Sequence, residues 1–109
     1  MNDDIKLNQR PIPEAALRDE KAVEMLRVWI AERGLHCSMK IGMYLETMNV
    51  PEEKAWGTIL ADVARHVANA LQSGYSIDPA ESLQNIRDTF IKELESPTSS
   101  AKGGFVLKH

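Results

Sequence analysis

The run from residue 25 to residue 43, MLRVWIAERGLHCSMKIGM, limits what this chain can become more than any other stretch. Apolar residues alternate in both of its halves. Leu26, Val28 and Ile30 point one way if the first half is extended, and Leu35, Cys37, Met39, Ile41 and Met43 repeat the pattern in the second. A period of two is the mark of a strand with one buried face. Arg33-Gly34 lies between the halves, and Gly34 suits a tight turn that needs positive φ. With these two residues as the loop, Ile30 faces Cys37, Val28 faces Met39 and Leu26 faces Ile41, all apolar pairs on one side. A slip of one residue would mix the faces, which argues for a well-specified register. A helix over residues 21–33 also fits the spacing of Ala22, Met25, Leu26, Trp29 and Ile30, but the Val-Trp-Ile cluster favours the strand.

Two amphipathic helices follow. In NVPEEKAWGTILADVARHVANALQSG, Asn49 stands as the cap, Pro51 falls in the first turn, and Glu52 and Glu53 suit the positive end of the helix dipole. Trp56, Ile59, Leu60, Val63, Val67 and Leu71 form one stripe, and Gly74 is placed to stop the helix. The next segment, IDPAESLQNIRDTFIKELESP, begins on Asp78-Pro79 with Glu81 three residues after the cap. Its stripe is Leu83, Ile86, Phe90 and Leu94, and Pro97 ends it. Before the hairpin, Pro11 and Pro13 impose an extended approach, with a short helix from Pro13 through about Arg18.

The expected fold is therefore α+β: an antiparallel β-hairpin, then two amphipathic helices on its apolar side. An isolated two-stranded hairpin is marginal in water, so the sheet calls for completion by a tail segment or a second subunit. Residues 1–10 read as a mobile arm, 11–97 as a single domain and 98–109 as a flexible tail. Phe105, Val106 and Leu107 are the exception in that tail, able to dock as a further strand.

Composition narrows the functional classes. The chain has 109 residues with 13 Lys and Arg against 16 Asp and Glu, a net charge of −3, and 43% hydrophobic residues. A nucleic-acid partner is disfavoured, because phosphate-backbone binding needs a basic field. One cysteine excludes an intrachain disulfide. The opening MNDDIKL lacks an apolar signal core, and no run is long enough for a membrane helix, so a cytoplasmic setting without membrane attachment is expected.

Several constellations invite chemistry. His36 and Cys37 are adjacent on a strand, so their side chains leave opposite faces and cannot grip one metal ion. Asp62 and His66 are four apart on a helix with Arg65 nearby, which is an ordinary exposed pair before it is half a metal or catalytic site. No glycine-rich phosphate loop, zinc-finger spacing or Ser/His/Asp signature occurs. Accordingly no catalytic residue, metal ligand or cofactor is assigned. The richest surface is the second face of the hairpin, with Arg27, Trp29, His36 and Lys40. The register above sets Arg27 opposite Lys40, and like charges so opposed repel. That face suits an acidic partner, a small anion or a twofold seam.

As a block, RPIPEAALRD, AVEMLRVWIAERGLHCSMKIGMY and AWGTILADVARHVANAL resemble a family of small bacterial proteins catalogued as domain of unknown function 5076. The resemblance spans roughly residues 10–96 and implies a compact α/β unit in a bacterial cytoplasm. It brings no activity and no site residues with it. The reading that follows is a non-enzymatic homodimeric interaction or regulatory module contacting partners through Arg27, Trp29, His36 and Lys40. A small anionic-ligand-binding protein is the alternative, and an enzyme using Asp62, Arg65 and His66 is the third.

Overall fold

The structure, a computed structural model, describes residues 6–107. Residues 1–5 of the expected arm and residues 108–109 of the expected tail lie outside the described residues. The elements run α1 (Glu14–Arg18), β1 (Leu26–Ala31), β2 (Gly34–Lys40), α2 (Met43–Thr47), α3 (Glu52–Tyr75), α4 (Pro79–Glu95) and β3 (Ala101–Val106). The fold is α+β, with a three-stranded sheet in the order β1-β2-β3.

The hairpin forms over the residues expected, with its turn one residue earlier and its pairing shifted by two positions. Glu32 and Arg33 make the turn, with φ of 50° and 64°, and Ala31 pairs with Gly34. Two positive-φ residues in sequence give the turn hand that matches strand twist. The pairs are Ile30 with Leu35, Val28 with Cys37 and Leu26 with Met39, in place of Ile30–Cys37, Val28–Met39 and Leu26–Ile41. The expected register would have set Leu35 against Glu32. The observed one sets it against Ile30, keeps three apolar pairs on this side and leaves Glu32 to the turn. Because the two registers differ by two positions, every side chain keeps its expected face. Two non-glycine residues in the left-handed region cost about 1–2 kcal/mol each.

β3 completes the sheet from the tail side. It begins at Ala101, ahead of the Phe105 expected, and pairs with β2 in parallel. The sheet is therefore mixed, not purely antiparallel. A parallel neighbour needs a long crossover, and here α2, α3 and α4 together supply it. Gly103 permits the pairing: its φ is +130°, and a Cβ there would lie 1.8 Å from the Cys37 carbonyl oxygen.

The helices follow their sequence signals with local corrections. Asp78 caps α4 by accepting the Glu81 N–H at 3.1 Å, and Pro79 takes the first position. Asn49 does not cap α3; it adopts φ of 52°, and Pro51 occupies the cap position. Gly74 does not stop α3 either. The helix continues to Tyr75, and Ser76 takes the left-handed conformation, its N–H reaching the Gln72 carbonyl at 3.0 Å. Asp78 and Pro79 begin the next helix so soon afterwards that the reversal falls on Ser76 and Ile77.

Packing departs most from expectation. Substantial contact is confined to β1 with β2, β2 with β3, α3 with α4, and α2 with α3. The two long helices pack on each other and not on the apolar side of their own sheet. Val28 is 49% exposed and Ile30 75% exposed. Ala55, Ala68 and Ser82 are the buried side chains among the described residues, all small. On α3, Leu60, Val63 and Val67 form an exposed line, as do Phe90 and Leu94 on α4. Much of each apolar stripe is thus left outside the helix–helix seam.

Candidate functional site

Directly paired residues in a ladder share a face, so the register defines the polar side of the sheet. Trp29 pairs with His36, and His36 pairs in turn with Lys102 of β3. The next row is Arg27, Ser38 and Gly104. Beyond it, Lys40 is bonded to Met25 through its backbone N–H, at 3.0 Å, and pairs with Val106. All four residues expected on this face, Arg27, Trp29, His36 and Lys40, are brought together by the fold. The opposition of Arg27 and Lys40 is corrected: Arg27 faces Ser38, and its guanidinium binds Glu24 at 3.0 Å, from the segment just before the strand. The repulsion expected across the ladder is relieved by that register and that acid.

Sequence reasoning missed Lys102, because its place depends on a parallel pairing between residues more than sixty positions apart. With it, the three strands carry three cations, Arg27, Lys40 and Lys102, and no acid. All three lie on this one face, in a chain whose net charge is −3. Ser38 and Gly104 form the low floor between them; a Cβ added at Gly104 would meet nothing within 4 Å. Beside the outer edge of β1 an open cleft runs between residues 8–13 and Arg27, Val28, Trp29 and Ile30.

The other constellations stay apart. Cys37 is a free, half-buried thiol on the apolar face, opposite in direction to His36. Asp62 pairs with Arg65 on the exposed side of α3, with His66 exposed beside them. Among the described residues, no group of three or more His, Cys, Asp or Glu side chains is placed to hold a metal ion. No helix among them is long and apolar enough to cross a membrane.

A polar hub that the sequence did not announce joins the sheet to the helices. Glu52, read as a dipole acid, accepts the Gly42 N–H at 2.9 Å, the Leu45 N–H at 3.1 Å and the Trp56 indole N–H at 3.0 Å. The Gly42 bond foremost holds its carboxyl below the usual glutamate range, desolvation opposing it and the bonds from Leu45 and Trp56 adding to it. The signal was present as Glu52 and Trp56 four apart on one helix face, but the third partner, Gly42, lies ten residues upstream. At the far end of α4, Glu93 similarly accepts the Thr98 N–H and hydroxyl, which lower its pKa.

The profile of a domain of unknown function, DUF5076, matches residues 9–98. No curated protein matches the chain. Among solved structures, the chain is similar to a "putative pyruvate dehydrogenase" from the photosynthetic bacterium Rhodopseudomonas palustrus CGA009, at 28% identity and a TM-score of 0.64. The match covers 89% of this chain and 93% of that one.

Proposed function

The chain belongs to the DUF5076 family, and on that premise we propose that it works as a non-enzymatic, homodimeric interaction module of the bacterial cytoplasm. One observation carries the dimer. The single chain exposes 9434 Å², roughly half as much again as the ~6,000 Å² expected of a compact 12.2 kDa monomer. The surplus includes the exposed line on α3, the line on α4 and the uncovered face of the sheet with Val28, Ile30 and Phe105. Obligate dimers bury about 2,000–5,000 Å² in total, and a second copy of the chain is the occupant that both surfaces share in supply and need. A twofold contact covers each surface on both copies at once. The polar face with Arg27, Trp29, His36 and Lys40 is then the side offered to a partner.

Sedimentation velocity over a rising concentration series tests this. The expected result is a dimer throughout the micromolar range, shifted to monomer by Val63→Glu, which places a charge in the α3 line. A wild-type chain that remains monomeric at the highest concentration removes the proposal.

The segregation of the three strand cations favours a second reading, a small anionic-ligand-binding protein using the same polar face. An enzyme built on Asp62, Arg65 and His66 has less support, since Asp62 is engaged by Arg65 on an open helix surface.

A further inference from the structure

We infer that the polar face of the sheet holds a phosphate-binding site, floored by Ser38 and Gly104 and ringed by Arg27, His36, Lys40 and Lys102. The inference rests on the reading that this face stays open when the apolar surfaces are covered.

Sheet geometry gives the dimensions. Adjacent strands lie about 4.8 Å apart, and residues two apart on a strand about 6.8 Å. Ser38 therefore has His36 and Lys40 before and after it on β2, with Arg27 and Gly104 on either side. Lys102 stands diagonally beyond, paired with His36. The floor is low because its two positions are a short hydroxyl and a glycine, and the Arg27 head on one side is held by Glu24. Around it the side chains are long, so a depression one residue wide is rimmed by donors from several directions.

That arrangement selects among anions. A carboxylate is flat and singly charged, and it is satisfied by one fork of donors. A phosphate presents acceptors tetrahedrally with close to two charges, so it can take the Ser38 hydroxyl from below and cationic donors from the rim together. Arg27 and Lys40 already have partners within the chain. Lys102 and His36 enter no ion pair or side-chain hydrogen bond among the described residues, and Lys102 is exposed. They are the groups on which affinity depends most. The same three strands contain no acid to neutralise Lys102, so an incoming dianion supplies the charge that this side chain lacks as well as making its own bonds.

The test is a titration of the full chain, followed by amide chemical shifts, with inorganic phosphate and phenyl phosphate in parallel. Sodium chloride at matched ionic strength is the reference. Saturable shifts at Ser38, Lys102 and Gly104 are expected from both phosphates. Equal affinities point to the free anion, and tighter binding of phenyl phosphate with a shift at the Trp29 indole points to an ester lying along the Trp29–His36 row. Lys102→Ala should weaken binding about tenfold, the order expected for one charge-assisted bond. Gly104→Leu should abolish it while changing no charge, since the space above Gly104 is empty and its backbone is ordinary. Should Gly104→Leu detach β3, His36→Ala replaces it, with the same expected weakening. Shifts that fail to saturate, that chloride reproduces, or that survive both Lys102→Ala and the floor or rim variant overturn the site. Sedimentation reads the dimer independently, so a monomer that still binds phosphate refutes the module and spares the site.

Discussion

Replacing Gly103 by alanine should detach β3 and leave the helical hairpin standing. At φ of +130° an L-residue is strained, at a cost of about 1–3 kcal/mol. The added methyl carbon would also lie 1.8 Å from the Cys37 oxygen, 2.8 Å from its carbonyl carbon and 2.9 Å from its nitrogen. All three atoms are backbone of the central strand, so no side chain can swing aside. Restoring ordinary contact needs a retreat of about 1.6 Å, and ladder bonds near 2.9 Å do not survive such a stretch. Each bond lost forfeits about 1 kcal/mol, and β3 has little else to hold it, since all six of its residues are exposed. The strand's docking energy is thus smaller than the penalty, and local release is favoured over strain. Amide hydrogen exchange reads this directly. Gly103→Ala should lose protection through Ala101–Val106 and along the facing amides of β2, while α3 and α4 keep theirs. Gly104→Ala is the matched control, with nothing within 4 Å of the new carbon, and should exchange like the parent. Equal protection of β3 in the two variants would refute both the obligate role of Gly103 and the parallel pairing itself.

Two further substitutions probe the joints of the fold. Glu52→Gln should lower the melting temperature at neutral pH, because the amide is a weaker acceptor for the Gly42, Leu45 and Trp56 donors. Since folding depresses the Glu52 pKa, its stabilisation is fully present above the unfolded glutamate value and is lost as pH falls through the folded one. Melting curves of parent and variant should therefore converge in acid, and a gap that is constant with pH would count against the hub. Asp78→Ala removes the α4 cap and should cost about 1 kcal/mol, or roughly 4–8 °C in melting temperature for a domain of this size; an unchanged transition would show that the Glu81 N–H is satisfied elsewhere.

What the sequence disclosed depended on how local the deciding interaction is. The alternation in residues 26–40 is local, so the strands and the two faces were readable. The turn was not, because the choice between Arg33-Gly34 and Glu32-Arg33 rests on whether Leu35 meets Glu32 or Ile30, and glycine's preference pointed the wrong way. Asp78, Pro79 and Glu81 form a complete signal within four residues, and α4 starts there. Asn49 and Gly74 are the right residue types a few positions from where the chain turns, and tertiary demands placed those turns at Pro51 and Ser76 instead. The cationic face was legible in Arg27, Trp29, His36 and Lys40, since face assignment survives a shift of two. Lys102 was not, because nothing near it indicates a strand partner so remote. Coverage of the sheet could not be read at all: a helix stripe announces that it will be buried, not against what.

The parallel seam between β2 and β3 has a kinetic corollary. Leu35 meets Ala101 only after the chain has doubled back through α2, α3 and α4, and closing a loop of that length from a disordered state costs about 4 kcal/mol of entropy. Once α3 and α4 have zipped together through their near-neighbour contacts, their ends act as a clasp that carries Ala101 towards the free margin of β2. Assembly should then proceed in two stages, a fast one reporting helix formation and a slower one reporting strand capture, with the second stage sensitive to changes at the Ser76–Ile77 reversal.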